Sequence, residues 1–525
     1  MKSRILTLIT AMTLFAALAI PVQLAAQKHI RYTVTDLGPT QSFAEGINNK
    51  GWVAGTTILP DGVIQHALLW RKGIKTDLGT FGGPNSSAFN RPSEKGQVAG
   101  NAETSTPDPL GEDFCLYGTH LVCLGFIWQN GVITSLGTIG GNNSWANGGM
   151  NNRGQVVGLA ENSSLDSTCA TPALEAKPVI WEKGGVQELP TFPGDADGTA
   201  LSINDRGQAV GVSTDCNASP TIFHAVIWQN GTVIDLGNFG GTLNNVAQGI
   251  NNRGQVVGYS DLPGDTSSHA FLWRNGVMTD LGTIEGLPTS LAFGINDERQ
   301  VVGMVCDASF DCGAFLWQDG VMTDLNTLLP NGSPWNLIVG TSINARGEIV
   351  GVGDTGGGYH AVLLTPCDEK HANDEGCRDE GTAVAQGEAN LRPRVALSEG
   401  ARESLRQRIG LRYRILDSSP AKSDTAGDSD AAQDSSCTPE READYVKGAE
   451  MPLTYHVSGE CAVNFYPKDT LTGGCIGLDP FSGYCIGKTD LKNCPPAAQA
   501  RNPQYLRCRQ GGLVRLDHSR SCVAH

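Results

Sequence analysis

Short apolar runs recur along this chain in a fixed order. In one copy, A-F-G-I-N-D-E-R-Q-V-V-G (292–303) is followed by G-A-F-L-W (313–317) and G-V-M-T-D-L (320–325). Seven copies lie between residues 32 and 366, spaced 45–58 residues apart. Each holds four short runs rich in β-branched, aromatic and small residues, broken by Gly, Asn and Asp, which is the pattern of strands joined by tight turns. The first two runs are joined by I-N-x-x-G, where Asn bonds to nearby backbone and Gly supplies a positive φ. Asn stands at 48, 151, 204, 251, 296 and 344. The second copy has Ser93 instead, and the sixth has Arg299 in place of the glycine, so these two hairpins are expected to be the least regular.

The two ends of the repeat region are offset. It begins with a lone fourth strand, Tyr32 to Leu37, and ends with a lone third strand, His360 to Leu364. No unit is incomplete if the N-terminal strand finishes the last one. That closes a circle and hides the sheet edges that an open array leaves exposed. An open solenoid needs no such offset. The expected fold is therefore all-β, a seven-bladed β-propeller over residues 27–366 closed by its N-terminal strand. By analogy with WD-type blades, first strands line a central channel, and second-to-third loops share one face with the linkers between blades.

The stretch H-A-F-L-W-R-N-G-V-M-T-D-L-G-T (269–283), with G-I-N-N-R-G-Q-V-V-G (249–258), resembles the bacterial HAF repeat, a family predicted to be extracellular. The resemblance covers about residues 32–366. It implies export and a repeat fold, and it brings no enzyme activity, cofactor or catalytic residue.

Outside the repeat, Lys2 and Arg4 precede an apolar run, Ile5 to Ile20, and the small residues Ala25 and Ala26. Residues 1–26 read as a cleaved secretory signal, too short for a membrane span. With 38 basic and 54 acidic residues the net charge is −16, and −18 without the signal. Such a surface repels polyphosphates, so nucleic acid and anionic membranes are poor partners. Fifteen cysteines in an exported chain argue for disulfides, with one thiol left over. Residues 367–450 read as a polar linker with one short helix at about 396–410. Residues 451–525 carry six cysteines without any CxxC, which suits a small disulfide-rich module better than zinc.

The repeat also places candidate chemistry. His66, His224, His269 and His360 share one position on third strands, too far apart around a ring to hold one metal. The fourth-strand acids Asp36, Asp77, Glu188, Asp235, Asp280 and Asp324 suit strand-edge or turn hydrogen bonds better than a carboxylate pair. Trp70, Trp128, Trp181, Trp228, Trp273 and Trp317 close third strands and are expected to pack between blades. Trp145 and Trp335 sit at or beside linkers between blades and are the weak candidates for a ligand surface. Asp195 and Asp197 in G-D-A-D-G lack the rest of an EF-hand loop.

Six cysteines fall in second-to-third loops. Cys115 with Cys123 and Cys306 with Cys312 are natural local pairs, and Cys169 with Cys216 can bridge neighbouring blades. The two longest of these loops, 101–124 and 159–177, belong to the same face. Clustered acids and histidines in the channel would favour an enzyme. The first-strand runs Ala44-Glu45-Gly46, Ala247-Gln248-Gly249 and Ala292-Phe293-Gly294 lean instead to small, apolar and amide groups. The favoured function is thus an exported, non-enzymatic binding protein for a glycan, polymer or protein, with no cofactor. The alternative is a secreted hydrolase or lyase working in the channel or under the long loops.

Overall fold

The structure is a computed structural model that describes residues 31–368, apart from 39–40, 60–63, 170–171, 217–221 and 357. It also describes Cys377 and the backbone of seven short strands between Leu453 and Ala524. The expected signal, the helix at 396–410 and the pairing of the C-terminal cysteines lie outside these residues.

Twenty-eight strands between Tyr32 and Pro366 form seven four-stranded antiparallel sheets. Six blades are sequential, at 42–77, 82–135, 144–188, 197–235, 245–280 and 289–324. The seventh takes three strands from 336–366 and its outer strand from the N-terminus, with Tyr32 opposite Pro366 and Asp36 opposite Val362. The protein is a seven-bladed β-propeller closed by its N-terminal strand.

An apolar cluster fills each of the seven blade-to-blade junctions. Between the first and second blades, Ala54, Ala67 and Leu69 meet Ala88, Phe126 and Trp128. The closing junction sets Ala44, Ile47 and Trp70 of the first blade against Val350 and Ala361 of the seventh. All six third-strand tryptophans belong to such clusters. The V-x-G glycine of second strands lets the sheets lie this close: a Cβ on Gly258 would sit 1.9 Å from the Val246 carbonyl oxygen.

Asn251 Oδ1 accepts from the Arg253 and Gln255 amides at 3.0 Å each, and its copies do the same. Arg299 adopts φ 62°, the conformation that glycine takes in the other turns, and Ser93 Oγ accepts from the Gln97 amide at 3.1 Å. The two hairpins expected to be irregular therefore keep the common turn. The irregularity lies in the first strands of blades two and three. In blade two the register shifts between Gly82 and Ser86, and in blade three the strand shrinks to Ser144–Trp145. Each of these copies has one more residue between its alanine (Ala88, Ala146) and the turn than Ala247 has, which the ladder cannot absorb.

The turns are also joined into a ring. Each Asn Nδ2 donates to the backbone oxygen of the next blade's turn residue: Asn151 to Asn204, Asn204 to Asn251, Asn251 to Asn296, Asn296 to Asn344 and Asn344 to Asn48, all at 3.0 Å. Asn48 continues to Ser93 at 3.1 Å. Ser93 has no amide to pass the chain on. There, the Glu94 amide donates to Asn152 Oδ1 at 3.1 Å instead.

The C-terminal unit, residues 422–525, contains a four-stranded and a three-stranded antiparallel sheet. Cys367 and Cys377, just beyond the last blade, form a disulfide that the residue pattern did not single out.

Candidate functional site

Two places gather groups that the scaffold does not need. The first is the central channel. In blades one, four, five, six and seven the first strand carries a β-bulge, at Glu45, Leu201, Gln248, Phe293 and Thr341 respectively. A bulged residue leaves the ladder and its side chain is re-aimed. All five line one cavity of about 60 Å³, with Asn90, Arg91 and Asn147 supplied by the blades that lack the bulge. At roughly 10–15 Å³ of such volume per water, it holds a few waters or a molecule of that size.

Glu45 is the single carboxylate and Arg91 the single base among the lining residues. Asn90 Nδ2 lies 3.4 Å from the Asn147 carbonyl oxygen and 3.3 Å from that of Leu201, tying three blades together. Gln248 is 7% exposed, and its Nε2 has no hydrogen-bond partner. Toward the loop face the channel is stopped by an apolar plug that includes Phe43, Val246, Leu291, Phe293, Val339 and Tyr359. The channel cavity and the long loops are thus two separate places.

The second place is the face carrying the disulfides. Cys115–Cys123, Cys169–Cys216 and Cys306–Cys312 are formed, the second joining blades three and four. The loop at 101–124 is held from below. Asp108 accepts from the Leu110 and Glu112 amides at 2.8 and 3.0 Å, and from Asn143 Nδ2 at 2.8 Å. Tyr117 Oη donates to Ser87 Oγ and accepts from Asn101 Nδ2, both at 2.8 Å. Thr119 Oγ1 donates to Glu103, whose other oxygen accepts from the Asn85 amide and side chain. Burial pushes the Glu103 carboxyl above its ordinary range, against the opposing pull of these donors.

Trp145 does not form a ligand surface. It is fully buried, edge-on to Phe89 at 5.7 Å, in a cluster with Phe114 and the Cys115–Cys123 bridge. The stapled loop folds back over it, so the ring is the loop's floor. Trp335 is half-buried, edge-on to His360 at 5.6 Å. Above that floor the stapled loops carry exposed apolar side chains: Leu110 and Leu116 in blade two, Leu165 in blade three and Ile222 in blade four, the third 65% exposed.

Three of the four repeated histidines pair with the fourth-strand acid of their own blade, and His66 Nε2 also lies 3.2 Å from the Pro84 carbonyl oxygen of blade two. His66 meets Asp77 at 2.6 Å, while His269 meets Asp280 and His360 meets Asp36, both at 2.9 Å. The same aspartates use their other oxygen to cap the following glycine amide at 2.8, 2.7 and 3.0 Å. His224 turns instead to Asp195 of the linker between blades, at 3.0 Å. A group missed in the residue pattern is the acid closing several second strands. Glu103, Glu161 and Asp261 each accept from the backbone of their own blade's first strand or of the linker leading into it. Its signal is legible afterwards as V-x-G-x-x-[D/E].

No family model matches the chain, and no curated protein matches it. Among solved structures, it is similar to the β-propeller domain of the trilobed protease from Pyrococcus furiosus, at 10% identity over 64% of this chain and 95% of that one, TM-score 0.37. A gluconolactonase from Xanthomonas campestris aligns at 9% identity over 64% and 94%, TM-score 0.31. An ulvan lyase aligns at 9% identity over 64% and 94%, TM-score 0.33. Likeness at this level carries no inference to this chain's activity. Disulfides are consistent with an oxidising compartment, and no helix among the described residues is long and apolar enough to cross a membrane.

Proposed function

We propose that the chain is an exported propeller of the HAF-repeat type that binds a glycan, polymer or protein surface through its stapled loop face. The observation that carries this reading is the loop at 101–124. It is closed by a disulfide, seated on Trp145 and tied down by buried side chains, yet it presents Leu110 and Leu116 outward. Ordering such a loop in advance lowers the entropic cost of association. Its neighbours in blades three and four add Leu165 and Ile222 on the same face. The net negative charge supports a partner other than nucleic acid.

The test is a screen of the full chain against extracellular polysaccharides and proteins, repeated with L110N/L116N/L165N. These side chains are exposed, so each substitution should change the stability by no more than about 0.5 kcal/mol. Loss of a detected interaction at unchanged stability supports the reading, and an unchanged affinity rejects it. The hydrolase or lyase reading has one observation in its favour: Glu45, buried, lines the same polar cavity as Arg91. The same screen followed for product release, with Glu45→Gln as the control, separates the two.

A further inference from the structure

We propose that Asp166, Cys169, Asp197 and Cys216 form a redox-gated zinc site that latches blades three and four. It is independent of the loop-face reading. One Sγ or carboxylate oxygen from each residue lies within 4.8 Å of the other three. Tetrahedral zinc, with Zn–S near 2.3 Å and Zn–O near 2.1 Å, sets its ligand atoms about 3.4–3.8 Å apart. Once the disulfide opens, shifts of about an ångström satisfy that geometry. Two thiolates and two carboxylates leave the same formal charge with Zn²⁺ as a four-cysteine structural site.

Asp166 aims a carboxylate oxygen at the sulfurs. It is buried, and its Oδ2 faces Cys169 Sγ at 3.4 Å, where a disulfide sulfur has no proton to offer. A buried carboxylate oxygen in that position is costly unless a donor or a cation meets it. The cluster is also held by bonds that do not need the disulfide. The Cys216 amide donates to Thr168 Oγ1 at 3.1 Å, and Thr168 donates to Asp166 Oδ1 at 2.7 Å from both its amide and its hydroxyl. Asp197 Oδ1 accepts from the Ala176 amide at 2.7 Å, again joining the two blades. Reduction therefore leaves both sulfurs and both carboxylates in register.

The chemistry balances. A dithiol gives two electrons and two protons to the Cys169–Cys216 bond and leaves as its own disulfide, producing two thiols. One Zn²⁺ then displaces both thiol protons to solvent. An external disulfide then takes the two electrons back, with two protons from solvent, and leaves as two thiols; this restores the Cys169–Cys216 bond and releases the ion, so the blades stay joined in either state.

The full-length protein, reduced with a phosphine, is titrated with Co²⁺, whose thiolate charge-transfer absorption counts sulfur-bound metal. Wild type should bind one equivalent more than C169S/C216S, which sets the baseline for the other cysteines. D166N/D197N, with every cysteine intact, should weaken that equivalent by at least about tenfold. Equal uptake by wild type and C169S/C216S overturns the proposal, and so does an extra equivalent that D166N/D197N leaves unchanged. If D166N/D197N does not fold, the melting temperature decides: Zn²⁺ should raise it for reduced wild type but not for reduced C169S/C216S, and no difference overturns the proposal.

Discussion

Replacing Asn251 by alanine should cost more than any surface change, because one buried side chain serves four bonds. Its Oδ1 accepts two backbone amides, and its Nδ2 donates to Gln255 Oε1 at 2.9 Å and to the Asn296 carbonyl at 3.0 Å. The Arg253 amide can recover water, and the Asn296 carbonyl still takes the Arg299 amide at 3.2 Å. The Gln255 amide is buried and is left without a partner. At about 1 kcal/mol per lost bond, and about 1–3 for the orphaned group, the sum is roughly 4 kcal/mol. An unfolding entropy near 2.1 cal/mol/K per residue over about 335 residues gives ~0.7 kcal/mol/K, so the melting temperature should fall by about 6 °C.

Ser93→Ala is the internal control. Ser93 holds its own turn but passes no bond to the next blade, so the loss should be about 1 kcal/mol, or 1–2 °C. Asn251→Asp keeps both acceptors and sets a carboxylate oxygen against the Asn296 carbonyl, so it should be as damaging as alanine near neutral pH. Calorimetric melting of the three variants decides the matter. If N251A matches S93A, or N251D melts like wild type, the hydrogen-bonded ring has no energetic weight.

Three further outcomes are expected. Deleting residues 28–38 removes Tyr32, buried against Leu337 and Val362, and bares a strand edge; the loss should be about 5 kcal/mol or more, and an unchanged melting temperature would refute strand closure. Trp145→Ala should cost about 3–5 kcal/mol and Trp335→Ala under about 2, as read by denaturant midpoints; equal losses would mean that the loop does not rest on Trp145. Burial raises the Glu103 and Asp261 carboxyls, so the folded ring holds these protons more tightly than the unfolded chain. Their contribution is unfavourable at neutral pH and is relieved as pH falls through the raised values. Wild type should therefore gain stability relative to E103Q/D261N on acidification, and a pH-independent difference would sink that reading.

Much of the architecture was legible because each blade is a local object. Turn chemistry at Asn251 and Gly254, the Trp-ended third strands and the one-strand offset at Tyr32 all follow from periodicity and turn preference. The neighbourhood of Cys115 and Cys123, eight residues apart, was legible for the same reason. Trp145 misled because its position beside a linker says where the backbone runs, while its burial depends on a loop that returns from Phe114. Arg299 misled because a turn clamped by Asn296 and the neighbouring blades can impose φ 62° on a residue that would not choose it.

By itself the sequence determined how many blades there are, where the strands lie outside the first strands of blades two and three, and which end closes the ring, since these depend on short-range pattern and on matching unpaired edges. Only the tertiary structure decided which way the variable residue of A-x-G-I-N points. Glu45, Gln248 and Phe293 look like ordinary strand positions until a bulge turns them into a shared cavity. Closure of the circle likewise brings Asn344 within reach of Asn48 and Cys169 of Cys216. Convergence of groups from different blades is a property of the closed ring, and no single repeat contains it.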